Sequence, residues 1–374
     1  MKEGWEYKKL GEVCQVLDSQ RKPVTKKDRT KGIYPYYGAT GIQDYVDSYI
    51  FDGRFLLVGE DGAKWGASDK TAYIIEGKSW VNNHAHILKV LENVNDRLLE
   101  YCLTFKDLSE YITGAVVPKL TQKALVSIPI PIPPLSEQQH IVEELDLLSS
   151  IIEKKKAQLN ELDNLAQSLF YEMFGDPITN EKGWEVKKLK EACTCITDGD
   201  HMPPPKVDKG IPFITISNID KQNREIDFRD TFFVPQSYYD SINKERKAQI
   251  DDVLYTVTGS YGIPIIVKED RNFCFQRHIA LLRPNKHLVS PCYLCYWALC
   301  KSIKYLADDV ATGIAQKTVG LSSLRKFPII IPPLSLQQQF ASKIEAIEHQ
   351  KELIKQSIKE VETLFNSRMD YYFN

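Results

Sequence analysis

The stretch IPIPPLSEQQ at Ile130–Gln139 returns almost unchanged as IIIPPLSLQQ at Ile329–Gln338, and each copy opens a long helical pattern. A second repeated block, GWEYKKLGEVC at Gly4–Cys14 and GWEVKKLKEAC at Gly183–Cys193, precedes a globular stretch in each half of the chain. Self-similarity at a fixed, long period is typical of a duplicated structural unit. The sequence therefore predicts a tandem repeat of one globular domain, each copy followed by a long helix.

Composition places the chain of 374 residues among ordinary globular proteins. No apolar run approaches the ~18 residues of a membrane span, and the opening MKEGWEYKKL lacks the apolar segment of a signal peptide. Eight cysteines without a framework spacing suit a reducing compartment. We therefore expect a cytoplasmic protein with no membrane partner. Because the formal net charge is −2, any nucleic-acid contact must depend on local basic patches.

Each repeated proline pair is followed by a predicted helix start. Ser136 with Gln139, and Ser335 with Gln338, have the spacing of a capping box. Apolar residues then recur at steps of four and three, which is the pattern of a coiled-coil seam. The seam residues are Ile141, Leu145, Leu148, Ile152, Leu159, Leu162 and Leu169 in the first helix and Phe340, Ile344, Ile347, Ile354, Ile358, Val361 and Phe365 in the second.

Two interpretations of these seams are open. The apolar faces could be core faces packed flat on their own domains, or they could pair with each other. Their length of about five heptads and the narrowness of the apolar stripe favour a coiled coil. Because the end of the first helix and the start of the second both adjoin the second globular stretch, paired helices must run antiparallel.

The predicted fold class is therefore α+β. Two mostly-β domains are separated by a long antiparallel two-helix coiled coil with pseudo-twofold symmetry. The expected boundaries are residues 1–133 for the first domain, 134–175 for the first helix, 176–332 for the second domain and 333–374 for the second helix.

Basic clusters are the candidate phosphate contacts, since phosphate binding dominates affinity for nucleic acid. A solvated loop is the alternative for any such charge run. The denser cluster is Arg21, Lys22, Lys26, Lys27, Arg29 and Lys31. Its sparser counterpart is Lys206, Lys209, Lys221 and Arg224, and Lys119 and Lys317 stand before the helix entries.

Glycine-rich turns and two matched polar segments are the candidate base contacts. Turn tips carry Lys64 with Trp65, and Ser260 with Tyr261, which could donate hydrogen bonds or stack; plain hairpin turns are the alternative. Asn82-Asn83-His84 matches Gln276-Arg277-His278 in the repeat. Amides can pair with adenine and Arg with guanine, whereas hydrogen bonding inside the domain is the other interpretation for the histidines.

Catalytic and metal-binding motifs are not predicted. Cys292, Cys295 and Cys300 resemble a zinc ligand set. They lie on an apparent helix whose counterpart in the first domain has Arg97, Glu100 and Phe105 at those places. The proline pairs lack the flanking residues of an amino-methyltransferase motif, and there is no phosphate-binding loop.

These motifs together resemble the specificity subunit of a Type I restriction-modification system. The resemblance covers essentially the whole chain, and its most specific parts are the GW-x-x-K-K-L openings, the IPxPPLxEQ helix entries and the TG segments at Thr113–Lys119 and Thr312–Lys317. One departure is Leu336, where the family pattern has Glu.

The resemblance implies two target-recognition domains that read an asymmetric, bipartite site on double-stranded DNA. It also implies a chain without catalysis or cofactor of its own. Two methyltransferase subunits would supply S-adenosylmethionine chemistry, and restriction/translocase subunits would use ATP and Mg. The alternatives are a specificity subunit of a related methyltransferase-nuclease system, a coiled-coil scaffold with no DNA role, and an enzyme that itself binds S-adenosylmethionine.

Overall fold

The computed structural model describes residues 4–201, 204–314 and 316–374. The chain divides into two compact units. The first unit contains Met1–Lys156 and Lys355–Asn374, and the second contains Ala157–Ile354. Each unit therefore includes a globular domain and one half of each long helix. Within the described ranges, no helix is both long and apolar enough to cross a lipid bilayer.

The first unit is built on a six-stranded sheet of order β2-β7-β5-β6-β3-β4, with two short ladders, β1-β10 and β8-β9. Its strands are β1 (Glu6–Lys9), β2 (Cys14–Val16), β3 (Lys31–Gly38), β4 (Gly41–Val46), β5 (Phe51–Gly59), β6 (Ala72–Val81), β7 (Ala85–Val90), β8 (Ile112–Thr113), β9 (Lys119–Leu120) and β10 (Pro129–Ile132). Its helices are α1 (Leu10–Val13), α2 (Asp96–Phe105), α3 (Gln122–Ser127) and the first part of α4 (Leu135–Phe174).

The second unit repeats this plan with additions. Its strands are β11 (Glu185–Lys188), β12 (Cys193–Asp198), β13 (Ile211–Ile214), β14 (Ile219–Asp220), β15 (Glu225–Ile226), β16 (Phe232–Val234), β17 (Val253–Thr256), β18 (Pro264–Ile266), β19 (Cys274–Phe275), β20 (Ile279–Pro284) and β21 (Pro328–Ile331). Its helices are α5 (Leu189–Ala192), α6 (Gln236–Ser241), α7 (Pro291–Ala298), α8 (Lys301–Val310), α9 (Leu321–Leu324) and the first part of α10 (Leu334–Phe373).

Strand pairing shows which elements correspond. The order β2-β7-β5-β6 in the first unit has its counterpart in β12-β20-β17-β18 of the second. The single strand β6 corresponds to two strands of the second unit, because the parallel pair β3-β6 has its counterpart in β13-β19. The ladder β1-β10 corresponds to β11-β21. The duplication read from the sequence is therefore present in the topology as well.

The two long helices pair antiparallel in each unit. In the first unit Glu144 of α4 contacts Arg368 of α10 at 2.6 Å, and in the second unit Asp163 contacts Lys351 at 2.9 Å. As residue numbers rise along α4, the numbers of their partners on α10 fall. The predicted antiparallel pairing is confirmed.

Most predicted seam residues lie in the interior. The buried ones are Ile141, Leu145, Leu148, Ile152, Phe340, Ile344, Ile347 and Ile358. The partly buried ones are Leu159, Leu162, Leu169, Ile354, Val361 and Phe365. Lys351 interrupts the heptads and is buried, and its ammonium is paired with Asp163 and with Glu348 at 3.0 Å.

The helix ends also pack on the domains, so the two interpretations of the seam apply to different parts of each helix. Phe170 and Phe174 are fully buried in the core of the second unit, and Met369 and Phe373 are buried in the core of the first. None of these four was assigned to the seam, because an end that contacts both a helix and a sheet buries a wider face than a heptad describes.

The predicted capping boxes are wrong. The helices begin at Leu135 and Leu334, one residue before Ser136 and Ser335, so neither serine is a cap. Buried glutamines fix the helix starts instead. The Gln138 amide donates to the Pro133 carbonyl at 2.9 Å, and Gln337 repeats this bond with Pro332 at 2.9 Å.

Candidate nucleic-acid interface

The first unit has a cleft of about 500 Å³ at the edge of its sheet. The end of β3, the loop after β5 and the turn between β6 and β7 meet there. We call it the first cleft; its lining is Lys26, Arg29, Gly38, Ala39, Thr40, Gln43, Asp61, Gly62, Asn82 and His84. It brings together four predicted residues, Lys26, Arg29, Asn82 and His84.

The polar groups of the first cleft are held by short-range bonds. Nδ1 of His84 lies 2.5 Å from Oδ1 of Asp61, while half of the His84 side chain is exposed. The Asn82 side chain is buried, and its oxygen accepts from the His84 amide at 2.8 Å. Arg29 pairs with Asp44 at 3.1 Å and lies over the Tyr36 ring. The cleft thus presents a fixed imidazole beside an exposed lysine.

The second unit has a cleft of about 390 Å³ at the corresponding edge, which we call the second cleft. It joins the predicted residues Arg277 and His278, and its complete lining is Asp198, His201, Val257, Thr258, Arg277, His278, Gln316, Thr318, Val319, Gly320 and Leu321. The Arg277 side chain is exposed. Partial burial and then the charge of Arg277 lower the pKa of His278. Nε2 of His201 contacts Asp198 at 2.9 Å.

The two clefts occupy equivalent places. His84 precedes β7 and His278 precedes β20, and these strands correspond in the two sheets. Asp61 and Thr258 also correspond, because each follows the central strand and forms a β-bridge to a later segment, at Lys119 and Thr318 respectively. The matched polar segments of the sequence therefore lie at matched edges of the fold.

A buried ion network lies next to the first cleft. Arg21 contacts Glu60 at 2.5 Å and Asp18 at 3.2 Å, and the Lys119 ammonium contacts the other Glu60 oxygen at 2.7 Å. His86 is fully buried, with Nδ1 2.5 Å from Asp18. Burial alone would raise the pKa of both carboxyls. The bond and charge of His86 lower the pKa of Asp18, and the bonds from Lys119 and Arg21 lower that of Glu60.

This network includes a possible cation-binding set, but its chemistry does not fit a metal. Asp18, Glu60 and His86 have ligand atoms within 4.8 Å of one another. Both oxygens of Glu60 already contact positive side chains, and the second nitrogen of His86 contacts the Leu120 carbonyl at 2.7 Å. A divalent ion would add charge beside Arg21 and Lys119, which would be repulsive.

The cysteines considered as zinc ligands are packing residues. Cys295 and Cys300 are buried, and Cys292 is partly buried. Burial raises the pKa of Cys295 to about 11 and that of Cys300 to about 12, which keeps these thiols protonated. Among the described residues, the three do not form a group with ligand atoms close enough to share an ion.

Three predicted contact residues point into the fold. Arg21 is mostly buried in the ion network. The Trp65 ring is buried, and its Nε1 donates to the Gly59 carbonyl at 3.1 Å, so it does not offer a stacking face. The Tyr261 hydroxyl donates to Asp308 at 2.7 Å, and Lys304 covers its ring. These side chains are held by bonds within their own unit, and their role in DNA contact stays a prediction.

The remaining predicted residues lie outside the clefts, and their role in DNA contact stays a prediction. Ser260 accepts from Lys221 at 2.8 Å, and Gln276 is half-buried. Those with exposed side chains are Lys22, Lys27, Lys31, Lys64, Asn83, Lys206, Lys209 and Lys317.

Lys119 and Lys317 are not structural equivalents. Thr113 pairs with Lys119, whereas Thr312 pairs with Thr318, so Lys317 stands one position earlier. Lys119 turns toward Glu60, and Lys317 remains exposed.

Sequence reasoning missed several lining residues. Gln43 is an exposed amide outside any repeated motif, and Gln316 is an exposed amide within the Thr312–Lys317 segment that was not predicted to contact DNA. His201 follows β12 closely, but no matched residue in the first domain drew attention to it. Asp61 could have been found from its position in the glycine turn Gly59–Gly66.

The duplicated α+β units, each with a polar cleft at one sheet edge, define a protein with two related binding modules. The sequence matches the family described as Type I restriction modification DNA specificity domain, over residues 2–164 and 181–363. These matches cover most of the chain and both repeats. The chain belongs to this family.

Individual relatives agree with this assignment. The chain is 29% identical to a Haemophilus influenzae protein assigned as a type I restriction enzyme specificity subunit, over 98% of this chain and 94% of that one. It is 21% identical to the type I restriction enzyme MjaVIII specificity subunit of Methanocaldococcus jannaschii, over 96% and 90%.

A solved structure shares the fold along the chain. The type I restriction-modification S subunit from M. genitalium superposes with a TM-score of 0.57 at 13% identity, covering 99% of this chain and 96% of that one. At this identity the likeness concerns the fold.

Proposed function

We propose that this chain selects the DNA target of a type I restriction-modification complex, each unit reading one half of an asymmetric bipartite site. The observation that carries the proposal is the pair of clefts at corresponding sheet edges with different linings. The first offers Gln43 and His84, and the second offers His201, Arg277 and Gln316. Amides suit adenine and guanidinium suits guanine, so different linings should select different half-sites.

Exposed basic residues supply phosphate contacts around the first cleft in this proposal. Lys26 lies in its lining, and Lys22, Lys27 and Lys31 are exposed on the same segment. Phosphate contacts give affinity and orientation, and base contacts give sequence selection. This division explains how a chain of net charge −2 binds DNA.

Catalysis belongs to partner subunits in this proposal. Two methyltransferase subunits bring S-adenosylmethionine, restriction/translocase subunits bring ATP and Mg, and the complex works on cytoplasmic DNA. Four exposed leucines of the two long helices are the candidate docking residues for a partner subunit: Leu147 and Leu364 in the first unit, and Leu165 and Leu353 in the second.

Methylation mapping tests the proposal. The intact system, with its methyltransferase subunits, is expressed in a host that lacks other methylation, and the modified sites are sequenced. We expect one bipartite motif. Arg277→Ala should weaken selection in one half only, by about 10- to 100-fold at one position. Gln43→Ala should act only on the other half.

The control is Lys154→Ala, at an exposed helix position away from both clefts. It should leave the motif unchanged. A motif without two parts, or an identical motif in all three variants, would show that the clefts do not read DNA.

A further inference from the structure

Each unit carries a β-hairpin that ends in an exposed turn. In the first unit β8 pairs with β9, so that Thr113 faces Lys119. In the second unit Thr312 and Thr318 exchange backbone hydrogen bonds of 3.0 and 2.8 Å. We call residues 113–119 the first hairpin and the described residues 312–314 and 316–318 the second hairpin.

Both hairpins are attached to the cleft walls. Lys119 forms a β-bridge with Asp61, which lines the first cleft. Thr318 forms a β-bridge with Thr258, and both line the second cleft. The amide of Gly259 adds a bond of 3.0 Å to the Lys317 carbonyl. A molecule that enters either cleft therefore meets a hairpin beside it.

Glycines fix the shape of both turns. Gly114 has φ of +94°, and a Cβ there would lie 2.4 Å from the Val117 carbonyl oxygen. Gly313 has φ of +115°, and a Cβ would lie 2.3 Å from the Gln316 carbonyl oxygen. Another residue is excluded sterically at both places. Both glycines therefore restrict the backbone next to the tips.

The tips present aliphatic side chains to solvent. Val116 is 93% exposed and Val117 62% exposed in the first hairpin, and Ile314 is fully exposed in the second. A single exposed aliphatic residue is ordinary. Here the two turns differ in sequence and are attached at equivalent places. Each turn has at least one exposed aliphatic side chain next to a polar cleft. An exposed lysine, Lys317, also stands beside the second tip.

We propose that each hairpin tip inserts its aliphatic side chains between adjacent base pairs of the bound DNA. Apolar wedges of this kind unstack one base step and kink the duplex, and adjacent basic residues hold the phosphates. The cleft beside each hairpin would then contact base edges next to the kink. The inference rests on the proposed DNA-reading function and adds to it a way of sensing how easily the target deforms.

The experiment uses the complex with its methyltransferase subunits and a duplex carrying the mapped methylation motif. 2-Aminopurine replaces one base at a time across both half-sites, because its fluorescence rises when a base unstacks. We expect a rise on binding at one step in or beside each half-site. Ile314→Ser should abolish the rise on one side only and weaken binding about tenfold, since burial of one aliphatic side chain is lost.

Matched variants separate the wedge from other roles. Ile314→Val should retain the fluorescence rise, and Val116→Ser with Val117→Ser should abolish the rise on the other side. Ile314→Ser should leave the salt dependence of binding unchanged, whereas Lys317→Ala should reduce its slope by about one. Because these side chains are exposed, unfolding curves should match those of the parent chain.

Two results would overturn the inference. If the complex binds its motif selectively and no position responds, the wedge is wrong while the proposed function stands. If Ile314→Ser instead releases a methyltransferase subunit and leaves DNA contacts unchanged, the tip is a protein contact. Loss of all motif selectivity in the parent complex would be a different outcome, because it removes the proposed function itself.

Discussion

The Arg21 guanidinium is bonded on several sides within the first unit. It contacts Asp18 and Glu60, and it donates to the Ala85 carbonyl at 2.7 Å. Only 11% of its side chain is exposed. Two mostly buried carboxylates depend on it, so its positive charge contributes to the stability of the cleft wall.

We therefore expect Arg21→Ala to lower the free energy of unfolding of the first unit by about 3 kcal/mol, because it leaves buried carboxylates without a partner. Lys22→Ala, at the exposed neighbour, should change this free energy by less than about 0.5 kcal/mol. Hydrogen exchange along β5 and β7 measures both. Equal protection in the two variants would show that the ion network contributes little.

The direction of such side chains could not be predicted from the sequence. Arg21 donates to Glu60, which directly follows β5, and to Ala85 of β7, and Trp65 is fixed by a carbonyl at the end of β5. Arg and Trp side chains suit both DNA contact and packing within a domain. Which of these occurs depends on segments that are distant in the chain. Asn83 and His84, by contrast, were recognisable because the repeat aligned them with Arg277 and His278.

At the scale of elements, each long helix is joined to its domain by one buried glutamine. Gln337 donates to Pro332 and Leu288, both at 2.9 Å, and accepts from the Ser290 amide at 2.8 Å. Gln138 makes the matching bonds, with the Asn95 amide at 2.8 Å. Each glutamine thus connects a helix start with the N-terminus of the helix after the central sheet, α7 or α2. This fixes the direction in which the long helix leaves the domain.

Gln337→Ala should lower the free energy of unfolding of the second unit by about 1 to 3 kcal/mol, since it leaves buried backbone groups unpaired. Gln338→Ala is the matched control, because the next glutamine is exposed on the same turn. Urea unfolding followed by hydrogen exchange in α7 would measure both effects. A control variant as unstable as Gln337→Ala would show that the buried bonds of Gln337 are not the cause of the loss.

The long helices themselves were predictable, and their ends were not. Heptad spacing identified Ile141 and Ile344 because a period along one helix is local information. The burial of Phe170 and Phe174 depends on Tyr293 of α7, whose ring lies 5.5 Å and 4.9 Å from theirs. The capping boxes were wrong for the same kind of reason, because Gln337 finds acceptors in a segment about fifty residues away in sequence.

At the scale of the whole molecule, the first unit is completed by the last residues of the chain. Met369 and Phe373 of α10 belong to the same core as Leu98, Leu103 and Leu108. The Phe373 ring lies 6.3 Å from that of Phe105. The first globular domain thus remains without part of its core until the last helix has been made.

This arrangement predicts that a core substitution near residue 373 destabilises the amino-terminal domain. Phe373→Ala should lower the free energy of unfolding of the first unit by about 3 to 5 kcal/mol, because it opens a cavity in that core. Hydrogen exchange should rise in α2 and in residues 141–152, while β17 and β20 of the second unit keep their protection. Tyr371→Ala is the control, since that side chain is mostly exposed on the same turn. If hydrogen exchange rises equally in both units, the chain unfolds as one cooperative body. If it rises only near residue 373, the last turn of α10 adds nothing to the stability of the core.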